Sequence, residues 1–111
     1  MANLSIVDVA KEIIDVCSKS KIVQNFAVDI LDDVVLKIRV YLVNDMFIDT
    51  FYNADTLKVA YALIKKGERI FGTDNTGGWH IHPLDAPWEH QFCHPITFQE
   101  FLTIVEQENK I

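Results

Sequence analysis

The sequence predicts an α+β fold: an antiparallel β-sheet meander of about five to six strands, flanked by an N-terminal and a C-terminal helix. Three observations carry this. Each end of the chain shows apolar residues at helical spacing behind an N-capping residue. The middle alternates apolar and polar residues with period two. Between the alternating runs lie short clusters of Asn, Asp and Gly that read as turns. At 111 residues the chain has the length of one domain, taken here as 1–111.

Residues 5–18, "SIVDVAKEIIDVCS", form the first helix. Ile6, Ala10, Ile13, Ile14 and Cys17 recur on one side, with Asp8, Lys11, Glu12 and Asp15 on the wetter side. Ser5 with Asp8 is an N-terminal capping pair, and Lys19 and Lys21 suit the negative end of the helix dipole. A strand covers "IVQNFAVDI". In "VVLKIRVYLV", Leu36, Ile38, Val40 and Leu42 alternate with Lys37, Arg39 and Tyr41, giving one buried and one polar face. Asn44-Asp45 turns the chain into "MFIDTFY", and "NAD" at 53–55 ends that strand. "TLKVAYALI" admits helix or strand, and strand fits the neighbouring turns better. "KKGE" at 65–68 is a hairpin loop, with Gly67 left-handed, leading to "RIFGT". "DNTGG" at 74–78 is a further turn, and "WHIH" a short last strand. The prolines at 83, 87 and 95 make 83–96 a long irregular loop. "TFQEFLTIVEQE" closes the chain as a helix, with a Thr97/Glu100 capping box and a stripe of Phe98, Phe101, Leu102 and Val105. Both helices are expected on one face of the sheet.

Half of the chain is hydrophobic, enough for a packed core. No apolar run approaches the roughly 18 residues of a membrane span. The first residues carry acids instead of a basic leader, so no signal peptide is read and no membrane partner is expected. Cys17 and Cys93 read as free thiols of a cytoplasmic protein. The net charge of −6 argues against broad, non-specific binding of phosphate backbones.

All four histidines fall between positions 80 and 94. On a strand His80 and His82 share a face, while Trp79 and Ile81 point the other way, into the core. Two imidazoles so placed can flank one phosphodiester, one taking a proton and the other giving one. The developing charge calls for a cation, and Arg69, Arg39, Lys37 and Lys65 are the candidates. The same residues offer zinc donors: His80 and His82, then His90 with Cys93 or His94, although the spacing matches no common finger pattern. A plainer reading is a polar strand and loop whose imidazoles only fill hydrogen-bond roles. Asp74 and Asn75 make a turn and could orient the imidazoles. Trp88 is the more exposed of the two tryptophans and suits stacking on a base.

The stretch "FIDTFYNADTLKVAYALIKKGERIFGTDNTGGWHIHP" resembles the TumE-like toxins of bacterial and archaeal toxin–antitoxin modules. The similarity runs, less sharply, from about Leu36 to about Leu102. It rests on "FYN" at 51–53, "YALIKKGERIFG" at 61–72, "DN" at 74–75, "WHIHP" at 79–83 and His90. The resemblance implies a small cytoplasmic toxin paired with a cognate helix-turn-helix antitoxin, with a site at Asp74, Asn75, His80, His82 and His90. The expectation is then a metal-independent ribonuclease, with His80 and His82 as acid and base beside Asp74 and Arg69. Asn75, Arg39, Lys37 and Trp88 would bind RNA, and no cofactor would be needed. A zinc protein using the His/Cys cluster and a non-enzymatic interaction module are the alternatives. Self-association into a homo-oligomer is compatible with all three.

Overall fold

The computed structural model of the chain describes residues 5–84, 86 and 88–108. Helix α1 (Ile6–Ser18) starts where the sequence places it, because the Ser5 hydroxyl accepts the Asp8 amide at 3.1 Å. Its buried stripe is Ile6, Ala10, Ile13 and Cys17. Helix α2 (Phe98–Glu108) starts on the expected capping box. The Glu100 amide donates to the Thr97 hydroxyl at 3.1 Å, and the Thr97 amide to the Glu100 carboxylate at 3.0 Å.

Between the helices run β1 (Val23–Leu31), β2 (Val35–Leu42), β3 (Met46–Asn53), β4 (Val59–Lys65), β5 (Glu68–Asp74), β6 (His80–His82) and β7 (Gln91–Phe92). They form one antiparallel sheet of seven strands in chain order, more than the number read from the sequence. The unforeseen strand is β7, which lies inside the proline-rich segment read as loop; Pro87 of that segment lies outside the described residues. Two residues display no period, so β7 is visible only through its pairing of Phe92 with His80 and Gln91 with Ile81.

The hairpin turns use residues that tolerate a left-handed backbone. Asp32 and Asp33 take φ of 53° and 54°, Asn44 and Asp45 65° and 60°, and Lys66 and Gly67 52° and 79°. Consecutive left-handed residues match the right-handed twist of the strands they join. Within "TLKVAYALI" the part from Val59 is strand, since β4 pairs on both sides, while residues 56–58 stay outside it.

The alternation in β2 comes out as expected: Leu36, Ile38, Val40 and Leu42 are buried, while Lys37, Arg39 and Tyr41 are exposed. Both helices cover the buried face. Phe101 of α2 stacks on Phe71 at 5.0 Å and meets Tyr61 at 5.4 Å. Fully burying one such ring contributes about 1.5–3 kcal/mol. Among the described residues no helix covers the other face of the sheet, and this far face carries the candidate site. Among the described residues no helix is long and apolar enough to cross a membrane.

Candidate functional site

Register assigns each face. Thr73 pairs with Ile81 and with Tyr61, in the row that faces the helices. Asp74 pairs with His80, and Gly72 with His82, so these four share the far face. Trp79 and Ile81 pack against the core from the other side, as their alternation requires. The histidines are nevertheless buried, at 8% and 3% exposure, because the segment after Pro83 folds back over them. His82 Nδ1 lies 3.2 Å from the Glu89 carbonyl oxygen, and the His90 ring sits 4.9 Å from that of His80 and 4.4 Å from that of His82.

The turn from β5 to β6 builds the rest. The Thr76 amide donates to Asp74 Oδ1 at 2.9 Å, an Asx turn, and Gly77 and Gly78 supply φ of 67° and 107°. This aims the Gly78 carbonyl at His80 Nδ1, 3.1 Å away. Thr73 donates its hydroxyl to the His80 carbonyl at 2.8 Å and fixes β6 from the core side.

Each Nδ1 thus faces a carbonyl oxygen. A carbonyl only accepts, so each Nδ1 is placed as the donor; Nε2 then holds the lone pair of the neutral ring or, in the protonated ring, donates towards Asp74. His80 Nε2 lies 3.4 Å from Asp74 Oδ1, and His82 Nε2 lies 3.5 Å from Asp74 Oδ2. One carboxylate therefore stands between two imidazole edges. Burial works against its ionised form, but the Thr76 amide and the two histidines outweigh burial and hold the Asp74 pKa below the usual carboxylate value. At His82, burial and then the nearby Arg69 charge lower the pKa below that of a free imidazole, against the opposing pull of Asp74 and the Glu89 carbonyl.

Arg69 reaches this place through a β-bulge. Leu63 pairs with Phe71 but Ile64 pairs with Arg69, leaving Ile70 over. Without the bulge, period two would put Arg69 on the same face as buried Phe71; with it, Arg69 joins the far face. Its stem crosses Gly72, where a Cβ would stand 3.2 Å from Arg69 Cδ and 3.2 Å from the Tyr61 carbonyl. A charged residue apparently in phase with a core phenylalanine was the sequence signal for this bulge.

The structure separates the other sequence candidates from the centre. Lys37 and Arg39 share the far face but stand four strands away, about 19 Å at 4.8 Å per strand. They line a different groove of about 650 Å³, where Arg39 is held by Asp49 at 2.9 Å and lies over the Phe47 ring at 4.2 Å. Asn75 does not face the histidines. Its Oδ1 accepts the Val59 amide and its Nδ2 donates to the Leu57 carbonyl, each at 2.9 Å. His94 turns to Glu100 at 3.7 Å, and Cys93 packs against the core. Of the five potential metal ligands read from the sequence, His80, His82 and His90 come together, with one donor atom from each within 4.8 Å of the others. Trp88 is 74% exposed, as expected, and Phe92, which the sequence did not mark, is 86% exposed next to His80. The Gly78 and Glu89 carbonyls were also missed, because backbone acceptors leave no trace in residue type.

Comparison with protein-family models, with curated proteins and with solved structures finds no match for this chain.

Proposed function

We propose that this chain is a toxin-type enzyme that cleaves RNA phosphodiesters where His80, His82, Asp74 and Arg69 meet. The observation that carries the reading is the shared carboxylate: two buried imidazoles, each held through Nδ1, turn their Nε2 edges to Asp74. A basic pole is thereby fixed in place, and the Arg69 charge stands beside it to meet an anionic phosphate. The resemblance of "YALIKKGERIFG", "DN" and "WHIHP" to TumE-like toxins points to Asp74, His80 and His82 among its site residues, and many toxins of this size act on RNA.

In the proposed reaction the 2′-oxygen bonds to phosphorus as the bond from phosphorus to the 5′-oxygen breaks. The proton leaving the 2′-hydroxyl is taken by the cluster of Nε2 atoms and Asp74, and a proton is returned to the departing 5′-oxygen. The products are a 2′,3′-cyclic phosphate and a free 5′-hydroxyl. Exposed Phe92, paired with His80, and exposed Trp88, next to Glu89 in the chain, offer the surface on which a helix-turn-helix antitoxin would cover the centre.

The test is cleavage of end-labelled total RNA by the purified chain, beside Asp74→Asn and Arg69→Ala, with folding of each checked by circular dichroism. Cleavage by the wild type that drops by roughly 100-fold or more in both variants is expected. If the wild type leaves RNA intact, or if both variants cut as fast as it does, the reading is wrong.

A further inference from the structure

An acid–base pair needs two imidazoles. The centre holds three, and the third, His90, comes from a different part of the chain and is exposed. We infer that His80, His82 and His90 bind one divalent transition-metal ion of the zinc class. Binding of the ion stands on geometry alone; it would occupy the Nε2 lone pairs, so under the phosphodiesterase reading, on which its use in catalysis rests, the loaded centre leaves proton transfer to Asp74.

Four observations converge. The first is the donor set: three imidazoles without thiolates match catalytic zinc centres, in which three protein ligands leave one position open. The second is spacing. Donors already within 4.8 Å of one another need shifts of less than about 1 Å each to reach bonds of about 2.0–2.1 Å, and exposed His90 has the freedom to move. The third is the outer shell. Ligating histidines donate their other ring N–H to a carbonyl or carboxylate, and His80 and His82 each offer Nδ1 to a backbone carbonyl, at 3.1 and 3.2 Å. The fourth is the distance to Asp74. At 3.4 and 3.5 Å the Nε2–oxygen separations are long for charge-assisted hydrogen bonds, which run at about 2.7–2.9 Å. The carboxylate therefore leaves both Nε2 atoms without a short bond.

Charge acts in both directions. Asp74 favours a cation between the rings, and Arg69 opposes one. Imidazole donors select zinc, cobalt, nickel or copper over magnesium and calcium, which take oxygen ligands. Cys93 and His94, also zinc candidates by sequence, take no part because the structure holds them elsewhere.

The experiment uses tag-free protein stripped with EDTA and dialysed free of it. Cobalt(II) is followed by visible absorption and zinc by calorimetry, for the wild type and for His82→Ala, His90→Ala and His94→Ala. One ion per chain is expected, with a tetrahedral cobalt spectrum and no response to magnesium. His90→Ala is the decisive variant, since an exposed side chain can be removed without emptying the core. It should weaken zinc by at least about 100-fold, while His94→Ala binds as the wild type does. No uptake, or uptake unchanged in His90→Ala, overturns the site. The two proposals fail separately: RNA cleavage at full rate in EDTA without metal uptake removes the metal and leaves the ribonuclease. Uptake of one ion by a chain that cleaves no RNA removes the ribonuclease and leaves the metal.

Discussion

Asn75→Ala separates a structural role from the substrate-binding role that the sequence suggested. The Asn75 side chain joins the end of β5 to the 53–59 connection by two hydrogen bonds of 2.9 Å, accepting from the Val59 amide and donating to the Leu57 carbonyl. Leu57 holds φ of 61° without being glycine, so this bond also restrains a strained residue. The backbone bond from the Asn75 amide to the Val59 carbonyl survives the substitution. Two net hydrogen bonds at about 1 kcal/mol each give a loss of about 2 kcal/mol. An unfolding entropy of about 2.1 cal/mol/K per residue, applied to 111 residues, converts this to a fall in Tm of about 9 °C. Calorimetric melts of wild type and variant measure it, and RNA cleavage and cobalt binding well below both transitions measure function. The expected result is a large fall in Tm with both functional readouts within about twofold of wild type. A Tm within about 2 °C of wild type, together with a collapse of cleavage, would refute the reasoning and return Asn75 to the substrate.

Thr50→Val should stabilise the fold. Thr50 is 3% exposed and its Oγ1 is the buried side-chain atom without a partner among the described residues, so the isosteric change removes a desolvation penalty of about 1–3 kcal/mol. A Tm that falls instead would mean that the hydroxyl is bonded. Thr73→Val should cost about 1–2 kcal/mol by removing the hydroxyl that bonds the His80 carbonyl, and should weaken cobalt binding by loosening β6; unchanged affinity would show that β6 holds its place without Thr73. Cys17 links stability to alkaline pH. Burial pushes its thiol up to about 11 from the ordinary 9.0. The folded state then keeps a proton that the unfolded chain has released, so about 2–3 kcal/mol of stability is present below about pH 9 and is lost as pH rises towards about 11. Melting at about pH 8 and about pH 10.5 should show a larger drop for wild type than for Cys17→Ala, and equal drops would contradict the assignment.

Much of the architecture is legible in the sequence because it follows from local periodicity and turn chemistry. Leu36 to Leu42 alternate, Asn44-Asp45 and Lys66-Gly67 turn, and Ser5 and Thr97 cap; each of these signals is complete within a few residues. The site is legible in part for the same reason. His80 and His82 share a face by strand parity, and Asp74 is near them because a short turn leads straight back. What the sequence withheld is non-local or carried by the backbone. The pairing of β7 with β6 needs a return from a proline-rich loop. The burial of both histidines depends on that same return. Lys37 and Arg39 seemed useful as cations on the correct face, but three strands, β3, β4 and β5, stand between them and the histidines.

The site and the fold are coupled through one hairpin. Asp74, the Gly78 carbonyl and both imidazoles belong to β5, β6 and the turn between them, so their mutual geometry is set by the register in which Asp74 meets His80. A slip of one residue would carry both histidines to the helix face and Ile81 to the far face, exchanging polar for apolar residues in the core. Three features oppose that slip: the glycines that fix the turn, the Thr73 hydroxyl on the His80 carbonyl, and the packing of Ile81 and Trp79 against the core. The bulge in β5 adds Arg69 from the other end of the same strand. The centre therefore needs no distant element for its first four groups. His90 and the Glu89 carbonyl that holds His82 Nδ1 arrive from elsewhere, so their loop is the part that can change the composition of the centre while the sheet stays as it is.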